Sequence, residues 1–433
     1  MRVKSGVCIP RFRIFCNRCV LQKLMVYRGT KFNCVLSCIR FESANSIGEH
    51  MPEIPHSLDD ITPDWLSANL ADRPIIHSFS KEVIGEGAGF LGDIVRIRPQ
   101  PESLASLVVK MPTATTNNRR IGQLLGVYER EVRFYKELRP YLSIRTPKLL
   151  HGDMDDSDPT RSLRDLRLMK RLPIWLVKLL LPLVSKLAGN VNQRYVLLLE
   201  DLGGYRMGDQ LNSVTHEDSM LAVKTLASLH AGFFDRSLTA FPWVIPFDLG
   251  ARYFQIVTEK NHEEFCIRHQ HILPDSHKEI LNWLIANAGL FVGRMAQLPY
   301  TLLHGDYRLD NLSFDDERGE IIVMDWQTLL QGPIGIDLSY YIASTDVDGS
   351  EHELLEYYRG MMSEAGIEIS SARVRYEYEM GVIASLQRIM LLASDDFHFG
   401  EGRGPELLER TTIRFFEAAE KIELDALLRG VPG

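Results

Sequence analysis

The sequence is poor in cysteine beyond its first fifty residues and lacks a long apolar run. Of the six cysteines, Cys266 alone follows residue 50, which excludes a disulfide framework for the main part of the chain. The most apolar stretch, Leu172 to Leu187, is broken by two prolines and two lysines. It cannot supply the roughly 18 to 20 uninterrupted apolar residues that span a bilayer. We therefore expect a soluble, cytoplasmic protein.

Acidic residues are scarce in residues 1–50, here called the leader, which carry nine Lys or Arg against two Glu. This excess leaves the remaining chain with a formal charge of −15, which argues against general nucleic-acid binding. Cys16-x-x-Cys19 and Cys34-x-x-x-Cys38 have spacings open to zinc, but no finger pattern lies between them. A transit peptide and an extension upstream of a natural start at Met51 are the other interpretations, and we favour the extension.

The chain is longer than one typical domain. With 433 residues and 45% hydrophobic content, it is expected to form two lobes. We place a nucleotide-binding lobe at residues 51–203, with a basic insertion at 160–190, and a catalytic and substrate lobe at 204–433. The leader is expected to be disordered or not to belong to this fold.

The most informative stretch runs from Leu303 to Phe314. It contains a His-Gly-Asp tripeptide ending at Asp306, with Asn311 five residues later. The apolar run Ile321 to Met324 predicts a buried strand that ends at Asp325. Phosphoryl transfer requires one carboxylate near the incoming hydroxyl, and an amide and a second carboxylate that hold magnesium. The two aspartates and the asparagine supply this set.

An ordinary turn and a helix cap are the structural alternative for these residues, because Asp and Gly are common in both. The chain contains a second His-Gly-Asp tripeptide, ending at Asp153, with Asp158 where the asparagine would be. We interpret that copy as only a loop. The upstream features favour kinase chemistry at Asp306.

Upstream of this stretch lies a glycine-rich segment. Gly87, Gly89 and Gly92 satisfy G-x-G-x-x-G, a pattern that is weak alone and that a dinucleotide-binding fold would follow with a helix. Here the β-branched run Ile94 to Ile97 predicts a strand, so the glycines are expected in a hairpin where backbone can approach phosphate. The next short strand ends in Lys110, the position of the phosphate-binding lysine of a kinase.

A partner for this lysine follows. Helical spacing over Ile121 to Leu138 predicts a helix that carries Glu131. We expect Glu131 to pair with Lys110 and hold it over the phosphates. Glu129 and Glu137 are the competing acids and are expected to be solvated.

Two further segments complete the sequence pattern. Arg194 to Gly204 predicts a buried strand and a hinge between the lobes, where the backbone near Glu200 and Leu202 would contact adenine. The insertion at 160–190 combines basic residues with an apolar stripe around Trp175. This combination is typical of a helix that lies on a membrane surface or lines an apolar substrate site, and also of a helix packed on the lobe, which we favour.

With these features in this order, the chain resembles the aminoglycoside phosphotransferase and choline kinase-like family from about Leu58 to Leu424. The residues from His304 to Asn311, together with Met324-Asp325-Trp326, are similar to the Brenner-type loop and metal-binding aspartate of the family. The sequence of these two segments is most similar to that of bacterial-type phosphotransferases and of the ecdysteroid kinase-like branch.

The resemblance implies an α+β, protein-kinase-like fold with a small β-rich lobe and a larger, mostly helical lobe. It implies ATP and Mg²⁺ as cofactors and a small-molecule hydroxyl as acceptor, with Asp306 as base, Asn311 and Asp325 as metal ligands, and Glu131 as partner of a phosphate-binding Lys110. The basic insertion departs from the family pattern and leaves the acceptor unspecified. The alternative is a non-catalytic nucleotide-binding or membrane-surface scaffold of the same fold, which the complete set of five side chains disfavours.

Overall fold

The chain divides into two units, Met1–Met51 and Pro52–Gly433. The computed structural model describes residues 15–16, 19–20, 53–84, 91–180, 192–347, 350–392 and 402–430. In the first unit, Phe15–Cys16 and Cys19–Val20 pair as antiparallel strands. The zinc, transit-peptide and extension hypotheses concern a leader that lies almost wholly outside the described residues.

The amino-terminal part of the second unit is a five-stranded antiparallel sheet. Its strands, in spatial order, are Ser78–Val83, Gly92–Gln100, Leu107–Pro112, Tyr195–Glu200 and Leu149–Met154. On the central strand, Leu107, Val109 and Met111 are buried together on one face of the sheet. Because successive residues of a strand point to opposite faces, Lys110 projects from the other face.

The buried face of the sheet is covered by the helix Pro63–Asn69. The Thr62 side chain accepts a hydrogen bond from the Trp65 N–H at 3.1 Å, and the proline occupies the first helical turn. Trp65 and Leu66 are buried in the same apolar cluster as the inward residues of the sheet. The helix therefore follows from its capping residues and from the apolar face that it buries.

The helix predicted over Ile121 to Leu138 is present and carries Glu131, but it is interrupted at Gly126, which was not predicted. The helix Thr116–Leu125 ends at Gly126, which has a φ of 67°. Glycine adopts this left-handed conformation readily and commonly terminates helices. A second helix, Val127–Arg133, begins there and carries Glu131.

Helices form most of the rest of the chain. The α-helices are Arg161–Arg171, His216–Phe233, Phe247–Arg268, Asp275–Met295, Gly335–Ser344, Glu351–Glu364, Ser371–Leu392, Arg403–Ala419 and Leu424–Arg429, and residues 174–180 are also helical. A π-helical turn, Phe134–Leu138, and short 3₁₀ turns occur at Leu58–Asp60, Arg139–Tyr141, Leu309–Asn311 and Trp326–Thr328.

Short strands lie among these helices and support the candidate site. Leu312–Asp315 pairs with Glu320–Val323 and with Arg206–Met207, and Thr301–Leu303 pairs with Leu330–Gly332. The predicted strand before Asp325 is therefore present. Within the described residues, no helix is both long enough and apolar enough to cross a bilayer.

Two helices of this part cross in direct backbone contact. A Cβ on Gly335 would lie 1.7 Å from the carbonyl oxygen of Glu377, and a Cβ on Gly381 would lie 2.0 Å from the carbonyl oxygen of Gly335. Any side chain at either position would therefore separate the helices Gly335–Ser344 and Ser371–Leu392. The resulting fold is the expected α+β, protein-kinase-like arrangement of a β-rich part and a helical part, while the lobe boundary at residue 203 stays a prediction.

We expect Gly381→Ala to lower the free energy of unfolding by about 1–3 kcal/mol, because the new methyl group must displace backbone. Gly360→Ala is the matched control, since a Cβ on this helical glycine would meet nothing within 4 Å. The control should be neutral or stabilising by up to about 1 kcal/mol. Urea unfolding followed by circular dichroism measures both, and equal stabilities of the two variants would contradict the close crossing.

Candidate active site

Three charged side chains from distant parts of the sequence meet beside the sheet. The Nζ atom of Lys110 lies 2.8 Å from Oε2 of Glu131 and 2.6 Å from Oδ1 of Asp325. The lysine comes from the central strand, the glutamate from the helix Val127–Arg133, and the aspartate follows the strand Glu320–Val323. The pairing expected between Lys110 and Glu131 is present, and the same lysine contacts the predicted metal ligand.

The charges of this cluster depend on one another. Burial alone would lower the pKa of Lys110, but the Asp325 and Glu131 carboxylates outweigh it and raise the pKa above its ordinary value. Burial also raises the pKa of Glu131, against the opposing effect of the lysine. With both acids ionised, the cluster carries an excess of negative charge in a poorly solvated place, which a further cation would compensate.

Asp325 lies in a conformation that is uncommon for a residue other than glycine, with a φ of 59°. Its neighbours hold this turn. Trp326 stacks flat on Phe134, with ring centroids 4.1 Å apart, and the carbonyl of Gln327 accepts a hydrogen bond from Arg130 at 3.0 Å. The Gln327 side chain donates to Oδ2 of Asp325 at 3.2 Å. Backbone strain maintained in this way is typical of functional sites.

Asp306 and Asn311 are in direct contact. The Nδ2 atom of Asn311 donates to Oδ2 of Asp306 at 2.9 Å and to its backbone carbonyl at 2.8 Å. The amide of Asn311 therefore presents its oxygen as the remaining side-chain acceptor. The backbone carbonyl of Asn311 accepts from the N–H of Met324 at 2.9 Å, which ties the loop to the residue before Asp325.

The loop before Asp306 is held by the buried carboxylate of Asp337. Its two oxygens accept from the backbone N–H groups of His304 at 2.6 Å and Gly305 at 2.8 Å. His230, which is fully buried, lies 3.4 Å from the same carboxylate. Gly305 has a φ of 79°, and a Cβ there would lie 2.3 Å from a backbone oxygen, so a side chain cannot be accommodated. Asp337 thus braces the loop, and His230 is a histidine of the core.

Arg388 was not predicted from the sequence, although it contacts Asp306. Its Nη2 atom lies 2.7 Å from Oδ1 of Asp306, and its Nη1 donates to the backbone carbonyl of Gly305. The residue is part of the helix Ser371–Leu392, far from the loop in sequence. In the sequence, Arg388 stands out only as a charged residue beside the apolar Ile389, which is buried in the structure. This pattern does not indicate which residue Arg388 contacts.

The environment of Asp306 keeps it ionised. Burial alone would raise its pKa, but the positive charges of Arg388 and Arg308 outweigh burial and lower the pKa of Asp306 to about 2. The Nε atom of Arg308 lies 3.5 Å from Oδ2 of Asp306, on the side that Asn311 also contacts. An ionised carboxylate only accepts hydrogen bonds, which suits it to orient a hydroxyl group.

Alternating charges continue from the loop to the last helices. Arg308 contacts Oδ2 of Asp310 at 2.6 Å, and Arg403 contacts Oδ1 of the same aspartate at 2.6 Å. Arg403 also lies 2.8 Å from Asp209. Within this group, each arginine has an aspartate beside it, so the charge of Arg308 is compensated on the side away from Asp306.

Of the three glycines predicted to bind the nucleotide, Gly92 lies within the described residues. A Cβ on Gly92 would lie 3.4 Å from Cε of Lys110, so this glycine lets the strand pass close to the lysine. Gly87 and Gly89 lie outside the described residues, and their role stays a prediction.

The predicted hinge is a tight turn. The N–H of Glu200 donates to the carbonyl of Lys148 at 2.9 Å, and the carbonyl of Leu202 accepts from a turn N–H at 2.9 Å. Between them, Asp201 accepts from Nε of Arg96 at 2.8 Å. The contact of the backbone near Glu200 and Leu202 with adenine stays a prediction.

The residues present fit a magnesium ion that arrives with a nucleotide. Among the described residues, no three or more His, Cys, Asp or Glu side chains gather into a metal site. Such magnesium ions usually take one or two protein ligands and complete their coordination with phosphate oxygens and water. The carboxylate of Asp325 and the amide oxygen of Asn311 are oxygen donors of this kind, and a cation bound there would compensate the second carboxylate beside Lys110.

Two expectations about neighbouring residues were wrong. Asp153, expected in a loop, lies in the strand Leu149–Met154 and pairs with the neighbouring strand. Glu129 and Glu137, expected to be solvated, contact the guanidinium of Arg133 at 2.8 Å and 2.7 Å. An arginine four residues from each acid on the same helical face explains this pairing.

Comparison with known proteins finds a family that covers the residues of the candidate site. A model of the phosphotransferase enzyme family matches residues 102–363, a range that contains Lys110, Glu131, Asp306, Asn311 and Asp325. No curated protein matches the sequence.

Solved structures show a distant likeness. A choline/ethanolamine kinase family protein from Mesorhizobium loti is 15% identical, with a TM-score of 0.41 and coverage of 83% of this chain and 99% of that one. A macrolide 2'-phosphotransferase from Brachybacterium faecium is 15% identical, with a TM-score of 0.41 and coverage of 73% and 85%. An aminoglycoside phosphotransferase from Streptomyces rimosus, solved with ADP and streptomycin, is 13% identical, with a TM-score of 0.41 and coverage of 69% and 91%.

We expect the ionised Asp306 to stabilise the fold. Its folded pKa lies below the ordinary value of 3.8, so its contribution is present above pH 4 and is lost as the pH falls through 2. By proton linkage, the contribution of Asp306 to the free energy of unfolding should fall by about 1 kcal/mol between pH 6 and pH 3. The measurement compares the unfolding free energies of wild type and Asp306→Asn at both pH values, because the subtraction removes other titrations. A difference that stays constant or grows at pH 3 would contradict the assignment.

Proposed function

Because the chain belongs to the phosphotransferase enzyme family, we propose that it is an ATP-dependent kinase that phosphorylates a hydroxyl group of a small molecule. The observation that carries the proposal is the contact of Lys110 with both Glu131 and Asp325. The aspartate is joined through the preceding residue to the loop of Asp306 and Asn311. All five predicted side chains thus belong to one connected arrangement. A location in the cytoplasm, where ATP and Mg²⁺ are available, is part of the proposal.

The first part of the site would bind the nucleotide. Lys110 stays charged and is fixed by Glu131, so it is suited to donate hydrogen bonds to phosphate oxygens. Gly92 lies against it, and the backbone near Glu200 and Leu202 would contact adenine. ATP bound with Mg²⁺ would supply the phosphoryl group and neutralise negative charge.

Asn311 and Asp325 would hold the metal. One offers an amide oxygen and the other a carboxylate, and both are set by backbone contacts of neighbouring residues. A cation held by Asp325 would replace Lys110 as the partner of this carboxylate, and the lysine would then be available to phosphate oxygens. The contact between Lys110 and Asp325 is therefore consistent with both roles.

Asp306 would act on the acceptor. It would accept a hydrogen bond from the hydroxyl and take its proton as the oxygen forms a bond to phosphorus and the terminal phosphoanhydride bond breaks. A carboxylate with a pKa of about 2 is a weak base. Phosphoryl transfer through a loose transition state calls mainly for orientation, and for proton acceptance only late in the reaction.

Asp306→Asn tests this role, and Asp153→Asn is the matched control because it alters the other His-Gly-Asp tripeptide of the chain. We expect Asp306→Asn to lower acceptor-dependent phosphotransfer by about 10²- to 10⁴-fold, with ATP still bound, and the control to behave as wild type. A screen of hydroxylated metabolites by ADP formation, followed by ³¹P NMR of the product, supplies the assay. Equal, non-zero phosphotransfer by wild type and Asp306→Asn would remove Asp306 as the base.

The non-catalytic alternative makes a different prediction in the same screen. A nucleotide-binding scaffold would bind ATP, measured by calorimetry, and form no ADP with any acceptor. The intact set of Asp306, Asn311 and Asp325 favours the enzyme, since a scaffold has no need of the base or of both metal ligands.

A second proposal concerns the described part of the insertion, residues 161–180, here called the insertion surface. Of the ten large apolar side chains that are exposed in the described chain, four lie here: Leu168, Trp175, Leu179 and Leu180. The helix Arg161–Arg171 has no buried residue. Exposed Trp and Leu tips beside arginines are typical of contact with an anionic membrane surface.

The insertion surface also has an inner side, which packs on the protein. Val177 is buried, and Lys170 and Lys178 contact Asp248 and Glu259 of the helix Phe247–Arg268. The favoured interpretation, a helix packed on the lobe, therefore describes one face of this segment. We propose weak membrane contact for the other.

The double substitution Trp175→Ala and Leu179→Ala tests this contact. Ile267→Ala with Leu290→Ala is the matched control, since those side chains are 70% and 66% exposed, against 65% and 68% for the test pair. We expect co-sedimentation with phosphatidylserine vesicles to weaken several-fold for the test pair alone, and wild type to bind phosphatidylcholine vesicles poorly. Equal binding by both double variants would exclude this surface.

A further inference from the structure

Arg388 contacts one oxygen of the carboxylate that is proposed to receive the acceptor hydroxyl. Its guanidinium lies 2.7 Å from Oδ1 of Asp306 and also donates to Gly305. Between Met380 and Leu391, Ala384 and Arg388 are the two helix residues that are not buried. The Arg388 side chain keeps 24% of its surface exposed. The arginine therefore stands at an accessible edge of the candidate site.

Arg388 differs from the other arginine beside Asp306. Arg308 is 10% exposed and has Asp310 at 2.6 Å as a second partner, so its charge is compensated and enclosed. In the part of the chain that the structure describes, the ion pair of Arg388 is with Asp306 alone. Its other flank rests on the ring of Tyr340, 4.4 Å from the centroid, and has no carboxylate at ion-pair distance among the described residues.

The guanidinium of Arg388 can serve a ligand as well as the loop. The contacts with Gly305 and Asp306 use two of its five N–H donors. The planar fork of a guanidinium matches the oxygens of a carboxylate or a phosphate. A cation–π contact with the ring of Tyr340 supports the guanidinium beside the proposed base.

We propose that the acceptor carries a carboxylate or phosphate group near the hydroxyl that is phosphorylated, and that Arg388 binds this anionic group. The inference rests on the proposed phosphotransferase function and names its substrate class. An ammonium group close to the hydroxyl would instead meet a positive charge, and like charges repel strongly where water is scarce. Arg388 thus selects against amino alcohols and aminoglycosides.

Matched acceptors separate the effect of charge from that of shape. 4-Hydroxybutyrate, 4-hydroxybutyramide and 4-aminobutan-1-ol offer the same primary hydroxyl beside a negative, neutral or positive group. A comparison of glycerol 3-phosphate with glycerol as acceptors tests whether a phosphate group can take the place of the carboxylate. Anionic acceptors from the metabolite screen are assayed against their amides or dephosphorylated forms in the same way.

We expect wild type to favour the anionic member by at least tenfold in kcat/KM. Arg388→Met should raise the KM of that member by about 10- to 100-fold, the usual effect of losing a charged hydrogen bond, and should change its kcat less. Arg375→Met is the matched control on the same helix, because Arg375 pairs with Glu351 at 2.7 Å. The preference ratio should be unchanged in the control.

The preference ratio between anionic and other acceptors distinguishes two roles of Arg388, which are to bind the acceptor and to support the loop of Asp306. If Arg388 only positions Asp306, Arg388→Met lowers kcat by the same factor for every acceptor, and the proposal is overturned. A wild-type enzyme whose acceptors are neutral or cationic overturns it as well. A protein that forms no ADP with any compound contradicts the phosphotransferase function itself, and the inference falls with it.

Discussion

A lysine that is shielded from water stays charged only beside anions, and Lys110 has two of them from opposite directions in the fold. Glu131 comes from a helix that packs against the sheet, and Asp325 comes from the part of the chain that holds the loop of Asp306. Breaking a pair of this kind leaves an uncompensated buried charge, which is strongly unfavourable. The ion pairs therefore make the sheet, the helix and the loop depend on one another.

The loop has its own support, which is built from backbone groups. Asp337 accepts two consecutive N–H groups, while a left-handed glycine lets the chain turn toward Asp306. Asp337 lies on the helix that crosses its neighbour at Gly335 and Gly381, and the same neighbour carries Arg388. A close contact between two helices thus determines where the brace and the arginine stand. The reactive side chains are positioned by residues that need not touch a substrate.

Much of the fold and of the site could be predicted where the information is local. Strand and helix periodicity indicated Lys110 and Glu131, and a short spacing joined Asp306 to Asn311. The break at Gly126 was not foreseen, because a glycine inside an apolar helical pattern does not reveal whether the helix continues. Arg388 has no local pattern that names its partner: its contact with Asp306 spans 82 residues and depends on how two helices cross. The family match extends over the predicted loop, so the class of reaction was accessible from sequence, whereas the acceptor side was not.

The flat stack of Trp326 on Phe134 ties together two stretches of chain that each carry an acid of the lysine cluster. Phe134 directly follows the helix of Glu131, and Trp326 directly follows Asp325. A hydrogen bond from Arg130 to the Gln327 carbonyl joins the same two segments. The helix Val127–Arg133, which also packs on the strands Tyr195–Glu200 and Leu149–Met154, is therefore fastened to the turn of Asp325 as well. The two acids are thus held together by contacts that do not involve the lysine between them.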